Sequence, residues 1–328
     1  MAAEKSKIRL LRLAQAFLHE TDESRGLTMP ELIERLAEQG ISAERKSIYR
    51  DIDALREAGM DVRKLETRPV QYALVTRLFS ESELLLLVDA VQESRFLTKR
   101  QSDLLVSSIK SLGSTMQGSL LDKRLHVGGR IKSQNESVFY NVDILQRAMS
   151  LKRKVKFHYF KFNCKKQPVI QHQGEWYTET PVQLMYSDGF YYLVAYNDKH
   201  ESLINFRVDR MRDISLTDQP CTKNELIATF DANEYDQYVF GMYSGEPVVA
   251  VLRVEDSMMN AVIDRFGKDV EAFDLEDGSA RVTVKVVDTP LFYGWVAQYA
   301  GKITIEQPSS LKDSFVRYLE DLVSAYRS

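Results

Sequence analysis

The sequence is poor in cysteine and has no long hydrophobic run. Its two cysteines, Cys164 and Cys221, are too few for a disulfide framework or a four-cysteine zinc site, and we expect both to be buried bystanders. Purely aliphatic stretches such as residues 84–88 are far too short to span a bilayer, which excludes a membrane protein. The N-terminus lacks an apolar segment followed by a small-residue cleavage site, so a cytoplasmic protein is expected.

Catalytic signatures are also missing. The five histidines include His158 and His172 on either side of Cys164, but their spacing fits neither a zinc site nor a nucleophile motif. The sequence contains no GxSxG, P-loop or HExxH pattern. We therefore predict no catalytic residue, no metal and no cofactor, and expect that the protein is not an enzyme. A nucleotide-processing enzyme stays open as an alternative.

A length of 328 residues predicts two or three domains, and 44% hydrophobic with 28% charged residues is typical of soluble globular proteins. The net charge of -3 conceals a segregation of charge along the chain. Residues 144–174 contain eight basic residues and no acidic one, whereas residues 221–328 contain 10 basic and 18 acidic residues. The basic stretch is either a solvated face or an anion-binding surface.

Residues 1–78 read as three helices and a hairpin. The first helix is expected over 7–20, and the second opens at Thr28, which has the spacing of a capping box with Glu31. The third helix is expected from about Ser42 to Ala58, and strands near 60–64 and 70–74 follow it. Two helices joined by a short turn and followed by a strand pair predict a winged helix-turn-helix.

The faces of the third helix suggest what it contacts. Ile48, Ile52 and Leu55 share one side, so the side that carries Lys46 and Arg50 faces solvent, and Asp51 projects elsewhere. Cations neutralise phosphates, and hydroxyl and guanidinium groups can read base edges in a major groove. The predicted DNA contacts, including two hairpin residues, are Arg45, Lys46, Ser47, Tyr49, Arg50, Arg63 and Lys64. The alternative is a helical module for protein contacts.

Three further segments follow. Residues 79–137 form a neutral helical connector, which offers a possible dimer contact and is interrupted at Gly128 and Gly129; its helix around 84–88 is expected to be buried on several faces. Residues 138–220 alternate as strands, with a hairpin turn at Asp188-Gly189, and predict a small β-barrel. Residues 245–328 follow a β-α-β-β-α-β order, which predicts a ferredoxin-like domain. A final helix carries a stripe expected to be core, made of Leu311, Phe315, Leu319 and Leu322.

The pattern YYLVAY at 191–196 followed by NFRVDRM at 205–211, downstream of a winged helix, resembles the WYL-domain transcriptional regulators of bacteria. Pro181 fits the proline that precedes the family's Trp-Tyr-Leu tripeptide, and SIYRDIDALREAG at 47–59 resembles its recognition helix. Tyr191 stands where the family has tryptophan. The resemblance implies a multidomain α+β chain, with a winged helix-turn-helix, a helical connector, an Sm-like or SH3-like barrel and a C-terminal extension domain with a ferredoxin-like arrangement.

The resemblance further implies a regulator that binds double-stranded DNA and whose barrel senses a nucleic-acid or nucleotide-like effector. Aromatic rings beside cations supply stacking and phosphate neutralisation. The candidate ligand-binding residues are Tyr159, Lys161, Tyr191, Arg207 and Arg210. Asp209 lies between the two arginines, so bracing of the barrel is an equal alternative for both. A homodimer on an inverted repeat is expected, because pairing adds affinity and symmetry.

Overall fold

The computed structural model describes residues 2–124, 135–243 and 245–327, and they form two compact units, 1–136 and 137–328. The predicted break at Gly128 and Gly129 lies outside the described residues. No helix in the described ranges has the length and apolarity needed to cross a membrane.

The first unit combines six helices with a three-stranded antiparallel sheet in the order β1-β3-β2. Its helices are α1 (Ala2–Glu20), α2 (Met29–Glu38), α3 (Arg45–Glu57), α4 (Glu81–Glu93), α5 (Lys99–Lys110) and α6 (Thr115–Arg124). Its strands are β1 (Leu27–Thr28), β2 (Val62–Leu65) and β3 (Gln71–Leu74). The apolar faces of α1, α2 and α3 meet in one core with Val62 and Leu74 of the hairpin.

Helix α2 begins as the sequence predicts. The backbone N–H of Glu31 donates to Thr28 Oγ1 at 3.4 Å, and the backbone N–H of Thr28 donates to Glu31 Oε2 at 2.7 Å, which completes the capping box. Helix α3, however, begins at Arg45 rather than near Ser42. Gly40 adopts a positive φ of 73°, and the N–H of Ile41 donates to the carbonyl of Leu36, so the chain leaves α2 in an extended segment that lasts to Glu44.

The connector helices α4, α5 and α6 pack around Leu84, Val88, Val106 and Leu121. The expectation that α4 is buried on several faces is wrong for the single chain, since Leu86 is 68% exposed on its outer side. Ser114 donates a buried hydrogen bond to Asp22 Oδ2 at 2.7 Å. This bond ties the start of α6 to the turn after α1 and explains why these helices belong to the first unit.

The second unit begins with helix α7 and a strongly curled antiparallel sheet. Its order is β5-β4-β6-β7-β8, and β9 returns to pair with β4. The elements are α7 (Val138–Leu151), β4 (Arg153–Phe162), β5 (Pro168–Ile170), β6 (Tyr177–Ser187), β7 (Phe190–Asn197), β8 (Ser202–Arg207) and β9 (Met211–Pro220). Asp188 and Gly189 both have positive φ in the two-residue turn between β6 and β7, which confirms that predicted hairpin.

The residues INFRVDRM at 204–211 are expected from their sequence to form a single strand. The structure divides them instead. Strand β8 ends at Arg207, and a single 3-10 turn of Val208, Asp209 and Arg210 separates it from β9. The turn reverses the chain so that β9 pairs with β4 on the far side of the sheet. Arg207 and Arg210 therefore lie at the two ends of a tight turn.

After α8 (Glu225–Ala228) and α9 (Ala232–Tyr238), the chain forms a second antiparallel sheet in the order β11-β12-β10-β13. The elements follow a β-α-β-β-α-β order: β10 (Pro247–Glu255), α10 (Met259–Phe266), β11 (Glu271–Asp274), β12 (Ser279–Val287), α11 (Pro290–Ala297) and β13 (Ile303–Gln307), followed by α12 (Ser309–Arg327). Alternate residues of β10 and β12 point into a core that Phe292 and Val296 of α11 complete.

Two burial expectations are wrong in this unit. Leu311 and Phe315 of α12 pack on the core, but Leu319 and Leu322 are 36% and 40% exposed. Cys164 is exposed and Cys221 is half-buried. Cys164 lies at the tip of the loop between β4 and β5, where every residue from 161 to 170 is exposed.

Candidate functional site

The outer surface of α3 carries the residues expected to contact DNA. Arg45, Lys46 and Arg50 are exposed, and Ser47 and Tyr49 are half-buried at the edge of this surface. The opposite side is buried, with Ile48 and Ile52 in the core of the unit. The predicted division of the helix into an apolar and a cationic face is confirmed.

Tyr49 is held in place by its neighbours. The Arg45 guanidinium donates to Tyr49 Oη from Nε and Nη2, both at 3.2 Å, and the ring of Tyr72 on β3 lies edge-on at 6.1 Å. Hydrogen bonds from Tyr72 and then from Arg45 lower the pKa of the Tyr49 phenol. Tyr49 therefore positions Arg45 at the beginning of α3, an arrangement that sequence spacing alone does not predict.

The cations of the hairpin differ from each other. Arg63 Nη2 lies 2.8 Å from Asp61 Oδ2, and the hydrogen bond from Arg63 lowers the pKa of that carboxyl. Lys64 is exposed and lies opposite Tyr72 in the β2–β3 register. Among the described residues, Lys64, like Lys46 and Arg50, has no carboxylate at ion-pair distance, so these three cations are available to phosphates.

Asp51 follows Arg50 in sequence but points to the opposite side. It is 7% exposed, and Arg9 of α1 donates to it from Nε at 2.5 Å and from Nη2 at 3.1 Å. This ion pair fastens α3 to α1 and holds the carboxylate that follows Arg50 away from the exposed cations. Sequence reasoning places Asp51 away from the surface but does not find its partner, which lies 42 residues away.

The curled sheet of the second unit borders a cleft of about 860 Å³. Four of the five predicted ligand-binding residues line it, namely Tyr159, Lys161, Arg207 and Arg210. Other lining residues were not predicted: His172, Trp176, Tyr177, Glu179, Tyr192, Asn197 and His200. The cleft therefore combines cations with several aromatic rings.

Tyr191, the fifth predicted residue, does not line the cleft. Its ring contacts Tyr186 on the neighbouring strand, at 5.2 Å between centroids. Side chains alternate along a strand, so Tyr192 faces the cleft instead. The prediction that Tyr191 stacks on a ligand beside Arg207 is therefore not supported by the lining of this cleft.

Tyr159 forms part of the wall of the cleft. It is 8% exposed, its ring packs edge-on against Phe206, and its hydroxyl accepts the backbone N–H of Arg207 at 3.2 Å. Burial raises the pKa of its phenol. Tyr159 thus ties β4 to the end of β8 and offers little ring surface for stacking.

Arg207 and Arg210 differ in their surroundings. Arg207 binds both oxygens of Asp209, at 3.1 and 2.8 Å, and its guanidinium carbon lies 3.4 Å from the centroid of the Phe190 ring. These contacts correspond to the alternative in which Arg207 braces the barrel. Arg210 is half-exposed, and its guanidinium has no ion-pair partner in the described ranges. Arg210 and the exposed Lys161 and Lys199 are therefore cations of the cleft lining that a ligand can reach.

The turn that carries Arg210 is held from the side of α7. The buried Asn141 of α7 donates from Nδ2 to the carbonyls of Val208 and Met211, at 3.1 and 3.2 Å. Arg210 lies between these two attachment points in sequence. Its position in the cleft is therefore fixed by one side chain of α7.

Trp176 is an exposed aromatic residue of the cleft wall. It is 46% exposed, its ring lies 3.8 Å from that of His158, and Lys156 Nζ lies 5.1 Å from its centroid. The segment around it, QHQGEWYTET, has no periodicity, so its pattern does not predict a site. A large aromatic residue in an otherwise polar stretch was the available signal.

Glu179 on β6 is a buried acid that lines the same cleft. It is 2% exposed, and its Oε1 accepts a hydrogen bond from Asn197 Nδ2 at 2.7 Å. Burial, followed by the nearby charge of Asp198, raises the pKa of its carboxyl to about 7. Its Oε2 has no hydrogen-bond partner among the described residues.

Comparison with known protein families gives two matches. The WYL domain model matches residues 140–216, and the WCX domain model matches residues 246–323. The first match covers α7 and most of the curled sheet, and the second covers most of the sheet and helices that follow it. The chain therefore contains a WYL domain followed by a WCX domain.

Solved structures add two similarities. Proteasome accessory factor B/C (PafBC) of Arthrobacter aurescens is 20% identical, with a TM-score of 0.28; the match covers 96% of this chain but 46% of that one, so this chain spans about half its length. A crystal structure of a CRISPR Cas-related protein is 9% identical, covers 76% of this chain and 73% of that chain, and has a TM-score of 0.26. The curated proteins include no match.

Proposed function

We propose that this chain is a transcriptional regulator that binds double-stranded DNA through α3. The observation that carries the proposal is the surface formed by Lys46 and Arg50, from which Asp51 is drawn away by Arg9. In this proposal α1, α2, α3 and the β2–β3 hairpin form a winged helix-turn-helix, with α3 in the major groove and Lys64 on the backbone. The protein acts as a homodimer on an inverted repeat in the bacterial cytoplasm.

Replacing Lys46 or Arg50 with alanine is expected to weaken binding to the protein's own upstream DNA. Each base-reading contact that is lost costs roughly 1 to 3 kcal/mol, whereas the loss of a phosphate contact weakens binding to all sequences alike and lowers its salt dependence. Fluorescence anisotropy with labelled duplex at several salt concentrations measures both effects.

Arg12→Ala serves as the matched control, because Arg12 is an exposed arginine of the same unit outside α3 and the hairpin. Unchanged affinity in both the Lys46 and Arg50 variants would contradict the groove contact. If the wild-type protein binds no duplex even at low salt, the surface of α3 belongs to a protein-interaction module instead.

We further propose that the WYL cleft binds a nucleic-acid or nucleotide-like effector and that occupancy of the cleft changes DNA binding. The support is chemical: Trp176 and Tyr177 offer ring surfaces, and Lys161 and Arg210 offer cations that have no carboxylate at ion-pair distance in the described part of the chain. The C-terminal sheet, with its β-α-β-β-α-β order, is proposed to be a ferredoxin-like extension domain. The proposal includes no catalytic activity, and hydrolysis of a nucleotide would contradict it.

The cleft proposal predicts the behaviour of a Lys161→Ala and Arg210→Ala double variant. Its affinity for single-stranded DNA is expected to fall about tenfold or more, and the slope of log affinity against log salt to drop by about 0.7 for each lost phosphate contact. Tyr191→Ala is the control and is expected to bind like the wild type, since Tyr191 does not line the cleft. Loss of binding in the Tyr191 variant but not in the double variant would reverse this assignment.

A further inference from the structure

The carboxyl group of Glu179 has a hydrogen-bond partner among the described residues for only one of its two oxygens. Asn197 occupies Oε1, while Oε2 is shielded from solvent and accepts no hydrogen bond from any described residue. Buried polar groups in folded proteins nearly always have partners, and an unpaired one costs stability. An acceptor left open at the wall of a binding cleft suggests that the missing donor comes from the ligand.

We propose that Glu179 is a specificity-determining residue that accepts a hydrogen bond from the exocyclic amino group of a nucleobase held in the WYL cleft. The inference rests on the proposed nucleic-acid-like effector. Trp176 and Tyr177 lie beside Glu179 in sequence and share its cleft, so a base that stacks there presents an edge to the carboxyl. Lys161 and Arg210 take the phosphates of the same ligand.

The chemistry of a carboxylate decides which bases fit. An ionised carboxylate only accepts hydrogen bonds, and adenine, cytosine and guanine each carry an amino donor. At the ring position of the cytosine amino group, uracil and thymine instead present a carbonyl oxygen, whose lone pairs face those of the carboxylate. Glu179 is therefore expected to favour amino-bearing bases and to reject uracil and thymine.

The charge of Glu179 depends on groups from three elements. Tyr177 precedes it on β6, Asp198 in the turn after β7 disfavours its ionisation, and Lys154 on β4 favours it. Lys154 is itself paired with Asp198, so its effect is partly neutralised. Because the pKa of Glu179 lies at about 7, the ionised fraction rises about tenfold between pH 6 and pH 8.

The experiment compares the full-length protein bound to oligodeoxycytidine and to oligodeoxyuridine of equal length. The two ligands share a backbone and differ at the pyrimidine edge, where cytosine has an amino group and uracil a carbonyl. At pH 8 we expect cytidine to bind about tenfold more tightly. The ratio is expected to approach one at pH 6, where the protonated carboxyl can donate to the uracil carbonyl.

His172 and His200 also line the cleft and affect phosphate binding for both oligomers alike. The ratio of the two affinities therefore cancels their contribution. The Glu179→Gln variant is expected to bind both oligomers equally at every pH, because its amide can either donate or accept. Glu175→Gln is the matched control, since Glu175 is an exposed acid of the same cleft wall and its removal should leave the ratio unchanged. Parallel titration with dCMP distinguishes a free nucleotide from a strand, and either source supports the proposal if the base preference holds.

Equal affinity of the wild type for the two oligomers at pH 8 would overturn the role of Glu179 while leaving the effector proposal standing. A cytidine preference that survives in Glu179→Gln would assign the discrimination to another residue and also overturn it. If the wild type binds neither oligomer nor dCMP, the nucleic-acid-like effector itself is wrong, and the inference fails with it. The wild-type ratio at the two pH values tests the proposal even if the variant does not fold.

Discussion

Replacing Asp51 with alanine is expected to lower the free energy of unfolding of the first unit by about 3 kcal/mol. The change removes the carboxylate that binds Arg9 through two hydrogen bonds and leaves a largely buried guanidinium without its counter-charge. Both tryptophans, Trp176 and Trp295, lie in the second unit, so tryptophan fluorescence does not follow this transition. Urea unfolding monitored by far-UV circular dichroism and amide exchange in α1 and α3 measures it.

Asp53→Ala provides a control on the same helix. Asp53 pairs with Arg56 on the surface, at 3.0 Å, and its loss is expected to change stability by no more than about 0.5 kcal/mol. Replacing the buried pair together, as Arg9→Met with Asp51→Leu, is expected to recover much of the loss, because no charge is then left unpaired. A loss below about 1 kcal/mol in Asp51→Ala would mean that the pair does not fasten α3 to α1.

Truncating Phe157 to alanine is expected to destabilise the WYL sheet by about 4 kcal/mol. Phe157 is fully buried, its ring lies parallel to that of Tyr177 at 5.6 Å, and the edge of Phe206 meets it at 5.1 Å. Removing the ring leaves a cavity at the point where β4, β6 and β8 meet. Urea unfolding followed by the fluorescence of Trp176, which adjoins Tyr177, reports on this part of the chain.

Phe162→Ala tests whether the effect belongs to burial rather than to the loss of any aromatic ring on β4. Phe162 lies at the end of the same strand and is 60% exposed, so its replacement is expected to cost less than about 1 kcal/mol. Equal losses in the two variants would contradict the placement of Phe157 at the centre of the core. Because Tyr177 and Phe206 also line the cleft, the Phe157 variant should bind effector weakly while its N-terminal unit keeps its DNA contacts.

Periodicity predicted the parts of the fold in which one face of an element is buried and the other is not. On α3 the residues Ile48 and Ile52 recur at the helical period, so the exposed face with Lys46 and Arg50 followed directly. The capping box at Thr28 and the turn at Asp188-Gly189 were predicted for a similar reason, since each depends on neighbours a few residues apart.

The sequence does not indicate which side of β7 faces the cleft. The strand reads FYYLVAYN and is apolar on both faces, and residues 193–196 are all buried. Without a polar face, alternation identifies the strand but does not tell whether Tyr191 or Tyr192 points into the cleft. The break at 208–210 was missed because Val208 continues the apolar alternation of β8 through the turn.

The environment of Glu179 also depends on partners distant in sequence. Its burial results from pairing with Val155 on β4, and its one hydrogen bond comes from Asn197 on β7. A glutamate within TETP resembles any solvated acid in the sequence alone. The same holds for Leu319 and Leu322 of α12, where helical spacing predicts an apolar stripe but not how far along the helix that stripe is buried.

The attachment of Asn141 to the carbonyls on either side of Arg210 has a mechanical consequence. Two hydrogen bonds join the turn to α7, the first helix of the second unit, so a displacement of the Arg210 backbone is coupled to that helix. That helix starts immediately after Glu136, where the first unit ends. A ligand bound by Arg210 is therefore connected, through these two hydrogen bonds, to the helix that opens the second unit.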